Sequence, residues 1–414
     1  MLFMKTALLP ELILYGKLPE YNIAKNIIEN GDTQALSELI SFCQQHSLSG
    51  SCWKNLISWL IINDENAFST SVERRPSAKG TVCEFGKHDL NILYDLFNAD
   101  FLSFIGCVNG KLAASLNHFT ADAKTGFVSD ADIKACRLAE KLDGASDEKD
   151  FFRIVTGFYE SCGVGALGLN MAFCLSEENG KTLIPLNGFE HIVLDDLWGY
   201  ETQKAALVSN TEAFLNGKCA NHVLMFGDSG TGKSTCMKAL INQYYKNGLR
   251  VIEIYKHQFK YMYALLDKLK DRNYRFVLYM DDLSFEDFEI EYKYLKSIME
   301  GGLGPKPENV LIYATSNRRH LIKENWSDRN DSDDLHSSDT VQEKTSLADR
   351  FGLSICFTKP VQHEYDQIVL HLAKKNSITV PEDELLHKAR TWGIRHGGLS
   401  GRIAQQFINS ILGA

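Results

Sequence analysis

The sequence predicts an α/β fold: a five-stranded parallel sheet, preceded by a mainly helical region and followed by a small helical domain. Three observations predict it. Five short β-branched and aromatic runs, HVLMF (222–226), RVIEIY (250–255), RFVLYMD (275–281), NVLIYAT (309–315) and LSICF (353–357), alternate with helical stretches. Their starts lie 28, 25, 34 and 44 residues apart, the repeat length of strand–helix units in a parallel sheet. On either side the strands stop: residues 1–100 read mainly as helix, and three helical stretches follow Phe357, near 364–375, 382–395 and 400–412. The expected divisions are 1–180, 181–358 and 359–414.

Each region has its own justification. YNIAKNIIENG (21–31) and TQALSELISFCQQH (33–46) place apolar residues three and four apart, the spacing of one helix face. Asn30-Gly31 suits the end of the first, and Asp32 or Thr33 could cap the second. Ser69–Gly80, polar with a proline and a glycine, predicts a loop. Residues 107–190 mix short helical patterns with glycine-containing breaks, and residues 1–160 carry no chemical motif.

At 414 residues the chain has room for two to three domains. Apolar residues are 44% and charged residues 23%, ordinary for a chain that buries large cores. This excludes a disordered tail, a collagen-like repeat and a membrane-spanning bundle. A formal charge of −9 argues against affinity for nucleic acid through bulk positive charge. The charge is local, however: Glu324, Asp328, Asp331, Asp333, Asp334, Asp339 and Glu343 against Arg329 give 324–343 a charge of −6, leaving −3 elsewhere. Such a run reads as a solvated loop or a docking site for a basic partner. Its removal would also bring the 44-residue strand spacing into line with its neighbours.

Ten cysteines show no C-x-x-C spacing and no finger-like histidine, so zinc is unsupported. Apolar neighbours, as at Cys174 and Cys356, predict buried free thiols in a reducing compartment. Pro10 and Glu11 cut short the signal-like N-terminus, and the longest apolar stretches, 56–62 and 163–175, are too short to span a bilayer. A cytoplasmic location without membrane attachment is the expectation.

GDSGTGKST spans Gly227, Asp228, Ser229, Gly230, Thr231, Gly232, Lys233, Ser234 and Thr235, and fits G-x-x-x-x-G-K-[ST]. Glycines let the backbone form a nest of N–H groups that cradles phosphates, and the following helix adds its N-terminal dipole. Lys233 would place a compact positive charge on the β- and γ-phosphates, and Ser234 would offer a hydroxyl to Mg2+. An apolar strand precedes the motif and a helix follows it, as the chemistry requires.

RFVLYMDDLSF ends a strand in Asp281-Asp282. A hard carboxylate beside the Ser234 hydroxyl completes a metal site, so Asp281 is the expected ligand and Asp282 the group that polarises the attacking water. Glutamate commonly fills the second position; aspartate is one methylene shorter. NVLIYATSNRRHL ends another strand in Thr315, Ser316 and Asn317, where a polar side chain could orient water. Asn317 is the first candidate and Ser316 the second. Arg350, before the fifth strand, could reach a neighbouring subunit's γ-phosphate, or pair with Asp349 on the surface. Arg402, at the start of the last helix, could close over the phosphates or remain solvated.

Together GYExQK (199–204), GDSGTGKST, DDLSF, YATSNRRHL, DRFGL and SGR resemble an AAA+ P-loop ATPase, and are most similar to an uncharacterised bacterial AAA+ ATP-binding family. DRFG also resembles the arginine-finger segment of the Holliday-junction branch-migration motor. The resemblance covers roughly 163–413. It implies the AAA+ sheet order, a C-terminal lid, adenine contacts near Gly199 and Tyr200, ATP with Mg2+, and a homo-oligomer with its nucleotide site at a subunit interface. Where threading relatives carry an aromatic–hydrophobic–glycine loop, this sequence reads KHQFKYMYALLDK (256–268), without glycine, which disfavours polypeptide threading. The leading expectation is ATP hydrolysis that remodels or loads a protein or nucleic-acid partner. The alternative is an ATP-dependent switch with negligible turnover. A small-molecule kinase leaves the Asn317 and Arg350 segments unexplained.

Overall fold

The computed structural model describes residues 11–75, 80–105, 110–122, 129–176, 182–186, 192–286, 289–300, 307–319, 321–322 and 347–413. The acidic stretch 324–343 lies outside the described residues. The chain divides into two compact units, Met1–Asn170 and Met171–Ala414.

Described residues of the first unit form helices α1 (Tyr21–Glu29), α2 (Thr33–Gln45), α3 (Cys52–Asn63), α4 (Ala67–Arg74), α5 (Thr81–Phe97), α6 (Gly110–Asn117), α7 (Asp130–Asp143), α8 (Glu148–Cys162) and α9 (Gly165–Leu169). Apolar spacing places Ala24, Ile27 and Ile28 of α1 inside. Asp32 is the cap of α2, accepting the Ala35 N–H at 2.8 Å. Helix α3 is apolar around most of its circumference and buries Leu56, Ile57, Leu60 and Ile61 completely, as a central helix must. The expected loop over Ser69–Gly80 is helix in its first half, because α4 runs through Ser69 to Arg74, and 76–79 lie outside the described residues. Asn66 and Ser69 form a reciprocal cap, and Phe68 and Val72 bury the helix face. Ser69, the first residue of the expected loop, is thus helix-starting chemistry.

The second unit contains, in chain order, β1 (Ala172–Leu175), β2 (Leu183–Pro185), α10 (Glu201–Leu215), β3 (Val223–Gly227), α11 (Lys233–Tyr244), β4 (Leu249–Glu253), α12 (Met262–Leu269), β5 (Arg275–Met280), α13 (Glu291–Glu300), β6 (Val310–Ser316), β7 (Leu353–Phe357), α14 (Gln362–Lys375), α15 (Glu382–Arg395) and α16 (Gly401–Leu412). The expected five-stranded sheet has seven strands, ordered β2-β1-β4-β5-β6-β3-β7. The extra pair extends one edge: β1 runs parallel to β4, and β2 antiparallel to β1. Four and three residues long, these strands lie below the length at which alternation distinguishes a strand from a glycine-broken apolar run. The other five strands pair in parallel throughout.

Strand β6 is buried at every position, as befits the middle of a sheet covered on both faces. Val223 and Met225 of β3, Val277 of β5 and Tyr313 of β6 share one core with Cys236 and Leu240 of α11. Strand β7 forms the opposite edge and alternates, so Cys356 is exposed. Cys174, in β1, is half-buried, and the expectation that both thiols are buried is corrected. Helices α14, α15 and α16 close on their own core, with Tyr365, Val369, Leu385, Ala389, Ala404 and Ile408 inside. Arg390 adds a two-pronged pair to Asp366, at 3.0 and 2.6 Å. Among the described residues no helix is long and apolar enough to cross a membrane.

Candidate functional site

Strand β3 ends at Gly227 and α11 begins at Lys233, so five residues make the turn at the carboxyl edge of the sheet. Two glycines are required by contact. Gly227 has φ +126°, and a Cβ there would stand 2.1 Å from the Phe357 carbonyl oxygen. Gly232 has φ +96°, and a Cβ there would stand 2.7 Å from Leu197 Cδ2. The turn is tied down from within and from β7: Thr231 Oγ1 donates to the Asp228 carbonyl at 2.8 Å, and Asp228 N–H donates to the Phe357 carbonyl at 2.9 Å. The Asp228 carboxylate accepts the Lys359 N–H at 2.9 Å.

Lys233 is 8% exposed. Its ammonium donates to the carbonyls of Gly227 (2.8 Å) and Asp228 (2.7 Å) and lies 3.4 Å from Asn317 Oδ1. Burial draws it below the usual lysine value, opposed by the carboxylates of Asp228, Asp282 and Asp281. The charge is held curled against its own loop and available to an anion in the cavity.

Ser234, next on α11, donates its hydroxyl to Asp281 Oδ1 at 2.8 Å. Tyr279 OH and Thr315 Oγ1 converge on the same oxygen, at 2.7 and 2.6 Å. Burial pushes the Asp281 carboxyl up, but the hydroxyls of Thr315, Tyr279 and Ser234 outweigh it and hold the group below the usual carboxylate range. The reciprocal effect falls on Tyr279, whose phenol burial and the Asp281 charge push well up. Asp282 turns the chain with φ +49°, its N–H donating to Thr315 Oγ1 at 2.9 Å. Its carboxylate accepts Asn317 Nδ2–H at 2.7 Å.

These groups border one cavity of about 750 Å³. It brings together Tyr200, the run Ser229–Thr235, Asp281, Asp282, Asn317 and Arg402 from the expected set. Arg402 presents a guanidinium 3.5 Å from Ser229 Oγ and donates its backbone N–H to the Gly230 carbonyl at 3.1 Å. Ser400 caps α16 through the Ile403 N–H, which sets Arg402 in the helix's first turn at the cavity.

Five residues named from the sequence do not line the cavity. Gly227 and Asp228 support the turn from beneath, and Gly199 borders a separate hollow of about 250 Å³. Arg350 is engaged elsewhere: Nε donates to Glu300 Oε1 at 2.6 Å, and Nη2 meets the same oxygen. Its carboxylate partner is thus Glu300 of α13, in place of the neighbouring Asp349. Ser316, the second candidate beside Asn317, is 1% exposed within β6 and accepts the Arg318 N–H at 3.2 Å.

Sequence reasoning missed several contributors. Thr315, named at its strand end but passed over for Asn317 and Ser316, orients Asp281 together with Tyr279, an aromatic that reads as ordinary strand material. Opposite the turn, Leu197, Ile368 and Leu372 supply an apolar wall, with Asp196, His371 and Lys375 beside them. Lys375 Nζ pairs with Asp196 Oδ1 at 2.5 Å, joining α14 to the segment before α10. Burial raises the Asp196 carboxyl, but Lys375 and the Val193 N–H outweigh it and hold the group low. His371 Nε2 is buried without a hydrogen-bond partner among the described residues. The Tyr200 hydroxyl donates to the Thr358 carbonyl at 2.9 Å, and burial, then Glu364 and Asp228, push this phenol up to about 12. No group of three or more His, Cys, Asp or Glu side chains among the described residues is arranged to hold a metal ion unaided.

Comparison with solved structures finds similarity to a mutant form of Thermotoga maritima RuvB, with TM-score 0.38, 18% identity, and 54% of this chain and 67% of that chain covered. The Thermotoga maritima RuvB Holliday junction branch migration motor is similar at TM-score 0.33 and 15% identity, over 53% of this chain and 71% of that one. Likeness this remote bears on neither the reaction nor the assembly of this chain. No curated protein matches the sequence. Residues 169–414, more than half of the sequence and the whole of the site above, match the family described as "Protein of unknown function (DUF815)", and the chain belongs to that family.

Proposed function

We propose that the second unit is an AAA+ ATPase that binds ATP with Mg2+ and hydrolyses it to ADP and phosphate, in order to remodel or load a macromolecular partner. The carrying observation is the placement of the Lys233 ammonium, the Ser234–Asp281 oxygen pair and the Asn317–Asp282 pair around one cavity. The strand order β4-β5-β6-β3-β7, which interposes later strands between the first two of the series, supports the AAA+ reading. On this reading 181–358 is the nucleotide-binding core and 359–414 its lid.

The donor chemistry suits the groups implied. Mg2+ takes one or two protein oxygens and completes its shell with phosphate and water, and Ser234 with an ionised Asp281 supplies that pair. When bound, the ion would neutralise charge on the β- and γ-phosphate oxygens. The Lys233 ammonium neutralises the same phosphates from the turn, and the glycine-rich backbone with the α11 N-terminus cradles them. Asp282 accepts the proton of the attacking water, which Asn317 orients. Arg402 contacts the phosphates from α16. Arg350 acts on the site of a neighbouring copy, which requires it to leave Glu300. The chain therefore works as a homo-oligomer.

Phosphate release by the purified protein tests this. Lys233→Ala loses nucleotide binding or turnover, and full activity in that variant removes the site assignment. Arg350→Ala retains ATP binding and loses hydrolysis; normal hydrolysis in that variant, by a protein that stays monomeric with ATP, removes the trans-acting arginine. The second reading, a switch with negligible turnover, draws on the short Asp282 and its bond to Asn317. It requires phosphate release near background in the wild type with ATP bound.

A further inference from the structure

A second surface of the same unit is unlike the rest of this acidic chain. Between Ile254 and Leu266, the segment joining β4 to the body of α12, there is no aspartate or glutamate but there are three tyrosines, two lysines and a histidine. Phe259 points inward and stacks edge-on with Phe285 at 6.3 Å, which contacts Tyr292 of α13 at 6.3 Å. This buried ladder fixes the segment against α13. The rings left outside are large and wet: Tyr255 is 46% exposed, Tyr263 50% and Tyr294 40%. The Tyr263 hydroxyl shares a 2.7 Å hydrogen bond with Ser297 Oγ, one helical turn from Tyr294. Tyr263 and Tyr294 therefore belong to one surface; Tyr255 lies eight residues before Tyr263 on the same segment, its ring parallel to that of His257 within 4° at 6.1 Å.

Charge sorts in the same direction. Lys256 is committed to Glu289, at 2.9 and 3.0 Å, and to the Ser284 carbonyl. Lys260, Lys293 and Lys296 have no carboxylate partner among the described residues. Of the described carboxylates around α13, Glu289 is neutralised by Lys256 and Glu300 by Arg350; Glu286 and Glu291 are the others. Ammonium groups without a carboxylate partner among the described residues thus alternate in sequence with exposed tyrosines, as Tyr255, Lys260, Tyr263 on one segment and Lys293, Tyr294, Lys296 on the other. Aromatic faces stack with any base, and lysines between them meet the phosphates that link successive bases. An unfolded polypeptide would gain from the rings but has no systematic negative charge to match the lysines.

We propose that this face binds a single-stranded polynucleotide, with bases stacked on Tyr255, Tyr263 and Tyr294 and phosphates held by Lys260, Lys293 and Lys296. It stands on these side chains and does not depend on the nucleotide site being correctly read. The full-length protein is titrated against fluorescein-labelled 20-nucleotide oligo(dT) and oligo(U) by fluorescence anisotropy, at low and moderate salt. Both probes are expected to bind, with affinity falling as salt rises; a preference between them tells DNA from RNA. Tyr263→Ala and Tyr294→Ala each weaken binding about tenfold, Tyr294→Phe restores it, and Lys260→Glu with Lys296→Glu flattens the salt dependence. Phosphate release is followed in the same variants, so that failure of this surface and failure of the nucleotide site are read separately. Absence of binding by the wild type at low salt, affinity indifferent to both tyrosines, or tyrosine-dependent binding of a labelled unfolded polypeptide in place of the oligonucleotides overturns the proposal.

Discussion

Thr315→Val tests the reasoning about the carboxylate cluster most sharply, because it leaves both proposed metal ligands in place. The Thr315 hydroxyl is a junction: it donates to Asp281 Oδ1 at 2.6 Å and accepts the Asp282 N–H at 2.9 Å. The residue is 2% exposed, so valine, nearly its shape, fits without repacking. Two independent routes give the magnitude. A hydrogen bond to an ionised group contributes about 1.5–3 kcal/mol. Removing the group that orients a metal ligand costs about 10–100-fold in metal affinity, or roughly 1.4–2.7 kcal/mol. The routes agree, and both place the loss in the metal-dependent part of binding.

The assay is a Mg2+ titration of the protein with a fluorescent ATP analogue, repeated in excess EDTA. The Mg2+ half-saturation point should rise about 10–100-fold in Thr315→Val, while the EDTA affinity, set by Lys233 and the turn, stays near wild type. Thr315→Ser keeps the hydroxyl and should stay near wild type in both. A Thr315→Val half-point within about twofold of wild type would refute the outer-shell role assigned to this hydroxyl.

Two further expectations test other parts of the molecule. In the first unit, Asp89 is fully buried and accepts the N–H groups of Ile13, Leu14 and Tyr15, at 3.1, 2.7 and 3.0 Å. Asp89→Ala removes the acceptor of all three, of which only the Tyr15 N–H is buried, and amide exchange at Tyr15 should accelerate about tenfold or more, since a stranded buried donor costs about 1–3 kcal/mol and about 1.4 kcal/mol is tenfold; unchanged exchange would show that the carboxylate does not pin this segment. For pH, the folded Asp281 carboxyl lies below its ordinary value. Its contribution is therefore fully present above about pH 3.9, the unfolded value, and lost as pH falls through the lower folded value. Mg2+-dependent nucleotide affinity should be flat in this group between about pH 5.5 and 8, and a fall on acidification centred in that window would contradict the hydrogen bonds that hold it ionised.

Legibility in the sequence followed the range of the interaction. The turn after β3 is legible within nine residues because the glycines, lysine and hydroxyl it presents are local, although its anchors at Phe357 and Leu197 are not. The same holds for the helix starts at Asp32 and Ser400, where a side chain caps a backbone group three residues on. Contacts between distant segments were not readable. Lys375 and Asp196 stand 179 residues apart, and Arg350 finds Glu300 across 50 residues although Asp349 is its neighbour. Cys356 sits in an apolar run, yet its exposure depends on β7 being an edge strand, a property of the sheet and not of the run. Strands β1 and β2 owe their existence to the free edge of β4, which no window of their own residues contains.

The short Asp282 shows how such long-range geometry bears on function. Carboxylate reach alone would suggest that aspartate falls short of a water that glutamate could approach. Its left-handed backbone, however, carries the carboxylate to Asn317, whose amide is gripped at both ends. Oδ1 faces the Lys233 ammonium and Nδ2 faces the Asp282 carboxylate, at 3.4 and 2.7 Å. The opposite orientation would set a donor against a cation and an acceptor against an anion, so electrostatics alone selects this one. Lys233, Asn317 and Asp282 therefore form one polarised line across the cavity. An anion that draws the Lys233 charge toward itself weakens the hold on Oδ1 first, and the Nδ2 bond to Asp282 has one fewer anchor. Asn317 occupies only Oδ1 of the carboxylate, so on the hydrolytic reading Oδ2 takes the proton from water with the Asn317 bond intact. What separates the two readings is thus whether Oδ2 reaches the water, which the Asn317 bond sets together with the methylene that Asp282 lacks.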